Sequence, residues 1–411
     1  MSALADWQDG LARGLLRLDE EGLRRRPSLA TGIDFCSNDY LGFGRDGDLA
    51  LSLARRIQAA ATEAPEALFA PASRLLSGDT VLHREIEARL AGFKGTEAAL
   101  LFPSGYQANL ALLTSILGPA DRALSDELNH ASLIDGLKLS GCRRCVVPHL
   151  DLAAYERLLV EPSHGGRTVV VVESLFSMDG DMAPLAALEA LCARHGALLI
   201  VDDAHATGLY GEDRGSGLVE AHHLERRVAA SVTTFGKALA VQGACIAGSR
   251  SLVDWIVNRA RPFIFSTAVS PVLLHAIAAS LDRLAEVPGR RAPGEGVEGG
   301  VRGRAARLRR RLAEQGLDAG AGDSPIVPVV LGSNARALAV AEALRARGFD
   351  VRAVRPPTVP EGTSRLRLSV HADHSEAEID GLAAAIGRAI RQMGGPANGP
   401  LGDPLGDQVP A

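Results

Sequence analysis

Lys237 stands in SVTTFGKALAVQGACIAGS (Ser231–Ser249), among small, uncharged residues rather than on a charged helix face. Such surroundings desolvate an amine and favour its neutral, nucleophilic form, as Schiff-base chemistry requires. Upstream, Asp202 and His205 stand where the apolar run ALLIV gives way to DDAHATG. A carboxylate there can keep a pyridine-type nitrogen protonated, and the imidazole can hydrogen-bond a phenolate on the same ring. Taken singly, a strand-end Asp caps a turn and a lone His is satisfied locally; the pairing with Lys237 shifts the reading towards chemistry. PSGYQAN (Pro103–Asn109) follows the strand-like AALLF and precedes a leucine-rich helical stretch. Gly105 at that junction lets backbone amides and a helix N-terminus approach a phosphate, to which Ser231, Thr233 and Thr234 can also donate. His130, in DELNHASLIDG just before a segment able to start a helix, offers an imidazole to stack on a ring. Aldehyde, pyridine nitrogen, phenolate and phosphate are the groups of pyridoxal 5'-phosphate, and the set reads as a site for that cofactor.

The elements that must position these residues are legible between about residues 50 and 250. Amphipathic helical stretches alternate there with short aliphatic runs, including Glu97–Phe102, TVVVVE (Thr168–Glu173) and ALLIVDD (Ala197–Asp203). Unbroken apolar runs suit strands buried on both faces, so the pattern predicts an α/β fold with a mostly parallel sheet flanked by helices. Ligand sites in such sheets lie beyond the carboxyl ends of the strands, where the candidate residues fall. The expected organisation is an N-terminal segment over 1–44, a large cofactor domain over 45–275, a small α+β domain over 276–393 and a disordered tail over 394–411. A Gly-, Pro- and Arg-rich stretch, Val287–Arg304, reads as a loop.

Composition narrows the function classes. With 46% apolar and 23% charged residues the chain can bury a core, and a net charge of −5 gives no general attraction to nucleic acid. The N-terminal 26 residues mix charge with leucine and lack an apolar signal core, and no stretch reaches membrane-spanning length. A cytoplasmic protein is expected. Five cysteines, an odd number in a long chain, argue against a disulfide framework, and the lone Cys142-x-x-Cys145 lacks a second ligand pair for zinc, so no metal is expected.

Taken together, LRRR (Leu23–Arg26), SNDYLGF (Ser37–Phe43), FKGTEAALLFPSGYQANLA (Phe93–Ala111), DELNHASLIDG (Asp126–Gly136), ESLFSMDGDMAPL (Glu173–Leu185), VDDAHATGLYGEDRGSG (Val201–Gly217) and TTFGKALAVQGA (Thr233–Ala244) resemble the α-oxoamine synthases. The resemblance covers residues from about 20 to 390. It implies a fold-type I pyridoxal phosphate enzyme with a seven-stranded sheet, which condenses an amino acid with an acyl thioester and releases carbon dioxide. RPPTVPEGTSRLRLS (Arg355–Ser369) is most similar to the branch that joins L-alanine to a pimeloyl thioester in biotin biosynthesis; glycine C-acetyltransferase and 5-aminolevulinate synthase chemistry are the alternatives within the family.

Residue by residue, the family implies that Lys237 carries the cofactor and removes the α-proton, that Asp202 meets the pyridinium, and that His205 and Ser177 meet the phenolate. His130 would stack on the ring, while Gly105, Tyr106 and Thr234 would hold cofactor or phosphate. Asn38 and Arg367 would bind the amino-acid carboxylate, and Arg24 and Thr358 the acyl substrate. Ser266 and Thr267 would reach the phosphate of another subunit, which implies a homodimer with shared sites. Two departures stand out: Ala70-Pro71-Ala72 replaces a glycine-rich stretch before Ser73-Arg74, and the link from Arg26 to Ser37 leaves little room for a strand pair.

Overall fold

The computed structural model describes residues 2–163, 165–291 and 299–393. The segment that reads as alternating helices and strands builds a seven-stranded sheet from β1 (Ala98–Phe102), β2 (Arg122–Asp126), β3 (Arg143–Val147), β4 (Thr168–Glu173), β5 (Leu198–Asp202), β6 (Ala230–Thr234) and β7 (Ala244–Gly248). The spatial order is β1-β7-β6-β5-β4-β2-β3. Neighbours are parallel except at β7, which runs against both β1 and β6. Six strands therefore point their carboxyl ends to one edge of the sheet, and the turns that leave that edge carry the candidate residues.

Burial explains why these runs become strands. Every residue of β1, β2 and β4 is buried, as a sheet covered on both faces demands. Val169–Val172 are fully enclosed, and burying each valine contributes about 1.5–3 kcal/mol relative to leaving it in water. The edge strand β3 instead exposes Arg143 and Arg144, charges that discourage another chain from adding to it. On one face the helices Gly105–Ile116 and Ala131–Ser140 bury Ala108, Leu112 and Leu113 with Leu133 and Leu137. Gly136 permits their close approach, since a Cβ there would stand 2.9 Å from the Leu113 side chain.

The chain divides into two units by its internal contacts. The larger comprises Asn38–Ser177 and Asp181–Val301; the smaller combines the chain up to Ser37, Met178–Gly180 and the chain from Arg302 onward. This moves both expected boundaries. Residue 275 falls inside a helix, Pro271–Glu286, whose buried face of Leu274, Ile277, Leu281 and Leu284 keeps it with the larger unit. The N-terminal segment splits at Ser37 because Ile33–Asp34 pairs in parallel with Phe349–Asp350 and Ser369 N–H donates to the Phe35 carbonyl. The short Arg26–Ser37 link thus supplies one two-residue strand to the smaller unit. That unit also holds an antiparallel sheet in which β10 (Ser364–Ser369) lies between β8 (Ile326–Gly332) and β9 (Ala353–Val354). The stretch read as a loop to Arg304 is helical from Gly300, in Gly300–Glu314. Residues 292–298 and the tail expected at 394–411 lie outside the described residues.

Directly after β5, Asp203 is wholly buried and takes a hydrogen bond from Lys94 Nζ at 2.9 Å. Its other oxygen accepts from the Ser174 hydroxyl at 2.7 Å and the Leu218 N–H at 3.0 Å. A buried pair of this kind holds the strand end in place, and removing one partner leaves an uncompensated charge. Lys94→Ala is expected to lower unfolding free energy by about 3–5 kcal/mol, measured by urea denaturation; a loss below about 1 kcal/mol would show that water reaches Asp203.

Candidate functional site

Register places the acidic groups of the larger unit side by side. In the parallel pair β4–β5, Glu173 stands opposite Asp202. The Asp202 carboxylate is 6% exposed and accepts from Asn109 Nδ2 at 2.7 Å and from the Ala204 N–H at 3.0 Å. Asn109 Nδ2 also donates to Ser132 Oγ at 2.9 Å, and Ser132 Oγ lies 2.7 Å from His130 Nδ1. The Ser132 N–H, 3.2 Å away, donates to that same nitrogen, so His130 is the N-cap of the helix Ala131–Ser140. Burial lowers the His130 pKa and the charge of Lys237 adds to this, against the pull of Asp202. Glu173, also buried, accepts the His130 backbone N–H. Its carboxyl is pushed up to about 8 by burial and then by the Asp202 charge, with Lys237 opposing. These effects place Lys237 in the field of His130 and Glu173, although it follows a different strand.

Lys237 sits in the turn from β6 to β7. The turn is fastened by Phe235 N–H to the Gly243 carbonyl and Val241 N–H to the Phe235 carbonyl, each 2.9 Å, and by Ala240 N–H to the Lys237 carbonyl. Antiparallel pairing of β6 with β7 keeps the turn short and brings the half-buried lysine to the carboxyl edge of the sheet. Thr234 and Phe102 both stand opposite Ala244, one in each neighbouring strand. Gly105, which opens the Ser104-capped helix three residues after β1 ends, is therefore close to Thr234: a Cβ on Gly105 would lie 3.4 Å from Thr234 Cβ. Of the three hydroxyls near Lys237, Thr233 points inward and meets Thr207 Oγ1 at 3.1 Å, and Ser231 is buried; Thr234 alone of these reaches the turn half-exposed. The alternation of side chains along a strand decides this. Tyr106 is partly exposed, and its hydroxyl donates to Asp135.

On the other side of Asp202, His205 is 6% exposed and its Nδ1 lies 2.8 Å from the Tyr40 hydroxyl. Tyr40 also approaches Asn38 Oδ1 at 3.2 Å, so Asn38 and His205 are joined through one buried phenol. Ser177 is half-buried in the turn after the Leu175–Met182 bridge that follows β4. Thr267 is exposed and bridges to Ser73 in the Ala-Pro-Ala loop, where the Ala268 N–H donates to the Ala72 carbonyl at 3.0 Å. Ser266 precedes it, half-buried.

In the smaller unit, Arg367 is buried in β10 and donates from Nη1 to Ser369 Oγ at 2.8 Å. Thr358 is contacted by Arg25 Nη2 at 3.3 Å, whereas Arg24 pairs with Asp19. Arg24 is half-buried and Arg25 exposed. Asn109, Ser132, Glu173 and Tyr40 belong to the site although sequence reasoning gave them no role. All four lie inside the motifs that carry the family resemblance, and only their spacing in three dimensions singles them out.

The donor set fits pyridoxal 5'-phosphate. The first turn of Gly105–Ile116 offers N–H groups that helical bonding leaves unused, on a residue whose missing side chain opens the approach beside Thr234. Asp202 would supply the carboxylate for a ring nitrogen, Lys237 the amine and His130 a flat partner. Among the described residues no group of three or more His, Cys, Asp or Glu is placed to hold a metal ion, and no helix is long and apolar enough to cross a membrane.

The family model for aminotransferase class I and II matches residues 30–386. The chain is 44% identical over 400 residues to the 8-amino-7-oxononanoate synthase of Anaeromyxobacter dehalogenans strain 2CP-1, covering 94% of this chain and 96% of that one. Among solved structures it is similar to the serine palmitoyltransferase of Sphingomonas wittichii, with TM-score 0.84 and 27% identity, and to a serine palmitoyltransferase from S. paucimobilis with a bound PLP–myriocin aldimine, with TM-score 0.83 and 26% identity. Each comparison covers 95% of this chain and 99% of the other.

Glu173 gives the site a pH signature. Its folded-state pKa is raised, so the native state holds a proton that the unfolded chain releases in the ordinary carboxylate range. Stability is then lost progressively as pH rises from that range to about 8. Glu173→Gln, which keeps a neutral acceptor for His130, is expected to flatten this slope in thermal melts across the interval; an unchanged slope would show that Glu173 ionises normally.

Proposed function

The chain belongs to the aminotransferase class I and II family, and on that basis we propose that it condenses L-alanine with a pimeloyl thioester to give 8-amino-7-oxononanoate and carbon dioxide, the keto-amine step of biotin biosynthesis. The observation that carries the reading is the lysine turn at the carboxyl edge of the sheet, with Asp202, His130 and the Gly105 helix terminus gathered at the same edge. The relatives that share most of its length bear the name of that activity.

Bound in this site, pyridoxal 5'-phosphate supplies the electron sink that makes an α-carbanion of the amino acid accessible. The residues of the chain do the rest. Asp202 keeps the ring nitrogen protonated, its own position held by Asn109 and the Ala204 N–H. Lys237 Nζ would hold the cofactor and serve as the base for the α-proton. His130 would lie against the ring, and His205, set by Tyr40, and Ser177 would donate to the phenolate. Gly105, Tyr106 and Thr234 hold the phosphate end. Asn38 and, in the smaller unit, Arg367 are carboxylate-binding groups, the guanidinium suited to bidentate contact. Arg24 and Thr358, the latter contacted by Arg25, are the groups proposed to meet the acyl part.

A homodimer with shared sites follows from the same reading. Phe69, Leu75, Leu76 and Phe265 are exposed around the Ser73–Thr267 bridge. An apolar surface of this kind, next to the residues proposed to reach another subunit's phosphate, is what a second copy would cover. The reading makes this a cytoplasmic enzyme.

Coenzyme A release from a panel of alanine, glycine and serine against pimeloyl-, acetyl- and succinyl-CoA tests the assignment. Alanine with pimeloyl-CoA is expected to lead; glycine with acetyl-CoA in front would overturn it. Asp202→Asn is expected to retain the cofactor's visible absorbance and lose at least about 100-fold in kcat, because the electron sink needs a protonated ring. Near-normal turnover would remove Asp202 from that role.

A further inference from the structure

Two buried residues connect the Asp202 carboxylate to the His130 imidazole. Asn109 is 1% exposed and Ser132 wholly buried. Both stand on the paired helices Gly105–Ile116 and Ala131–Ser140, whose separation is set by Gly136. The direction of each hydrogen bond along this chain is fixed by elimination. Asp202 Oδ2 is an acceptor, so Asn109 must present its Nδ2 to it. The same Nδ2 spends its second hydrogen on Ser132 Oγ. The amide cannot turn over without setting its oxygen against a carboxylate, and Asn109 Oδ1 stays buried with no hydrogen-bond partner. Leaving such a group unpaired is unfavourable, a penalty the fold bears to keep the donor side on Asp202. Ser132 Oγ, already an acceptor, has one proton left, and the neighbour at 2.7 Å is His130 Nδ1. The Ser132 N–H points at that nitrogen as well. Two donors converging on Nδ1 require a lone pair there, which puts the ring proton on Nε2 and leaves no room for a second.

We propose that Asn109 and Ser132 are a positioning pair that ties the Asp202 carboxylate to His130 Nδ1 and holds His130 as the neutral, Nε2-protonated imidazole. The consequence concerns charge. A cation stacked on the ring would oppose the protonated ring nitrogen that Asp202 maintains, so a relay that spends the influence of Asp202 on denying His130 its second proton protects the electron sink. The charged groups around the imidazole are Asp202, Asp135 and Lys237. Of these, the two carboxylates would favour a protonated ring, and the Asn109–Ser132 chain answers Asp202. The Glu173 carboxyl contacts only the backbone N–H of His130.

The inference rests on the site reading above, but its test reads the imidazole and is independent of which product forms. In holoenzyme labelled with 15N-histidine, the His130 signals are assigned by their loss in His130→Gln. Nδ1 is expected to resonate as an unprotonated nitrogen from about pH 6 to 8, the range in which an ordinary histidine titrates. Ser132→Ala removes the hydroxyl donor, and Asn109→Leu frees that hydroxyl to accept; each is expected to give His130 a share of Nδ1-protonated ring and a titration within the interval. Ser132→Thr, which restores the hydroxyl, is expected to restore the wild-type signals. With Ser132→Ala, kcat is expected to fall about tenfold with little change in KM for the thioester, the effect of about one net hydrogen bond. An Nδ1-protonated His130 in the wild type, or ring signals unaltered in both Ser132→Ala and Asn109→Leu, would overturn the proposal whatever the substrate panel shows.

Discussion

A carboxylate almost excluded from water sits at the end of β5, and much of the site answers to it. Burying such a charge without partners would cost many kcal/mol, so Asp202 must be supplied with donors, and the amide of Asn109 and the N–H of Ala204 supply them. That requirement places a polar side chain among the buried apolar residues of the helix Gly105–Ile116. The same charge, one strand away in register from Glu173, helps to keep that second carboxyl protonated and available to the backbone of His130. Next in sequence, Asp203 needs its own cation, and Lys94 is drawn into the core to meet it. The polar interior of the larger unit is thus a chain of obligations that begins at one strand end.

The sheet topology explains why these groups can meet. Parallel strands deliver their carboxyl ends to one edge, so residues following β1, β2, β4, β5 and β6 converge although they are far apart in sequence. The reversal at β7 adds something the parallel strands cannot: a short, tightly bonded turn that carries Lys237 directly after β6. A crossover helix at this point would have separated the lysine from Thr234. The hairpin keeps both at the edge, opposite the helix terminus at Gly105.

Several readings shifted for reasons of geometry. Thr233 is a buried partner of Thr207 rather than a phosphate donor, because neighbouring strand residues face opposite sides. Arg24 pairs with Asp19, and its neighbour Arg25 reaches Thr358. The boundary expected near 275 moved to 301, because an amphipathic helix stays with the surface that buries its apolar face. The N-terminal segment divides at Ser37, where backbone pairing with Phe349–Asp350 ends.

The sequence alone determined the α/β class and the strands TVVVVE and LLIVD, and pointed to the lysine, aspartate and histidines proposed for a cofactor site, because unbroken apolar runs and residue types suited to one chemistry are local properties of the chain. The tertiary structure alone decided how those residues are held: that Asn109 and Ser132 join Asp202 to His130, that burial beside them raises the Glu173 pKa, and that Tyr40 joins Asn38 to His205. Hydrogen-bond direction and burial depend on which strands neighbour one another and which side chains face inward, and neither is written in residues that lie tens of positions apart until the sheet brings them together.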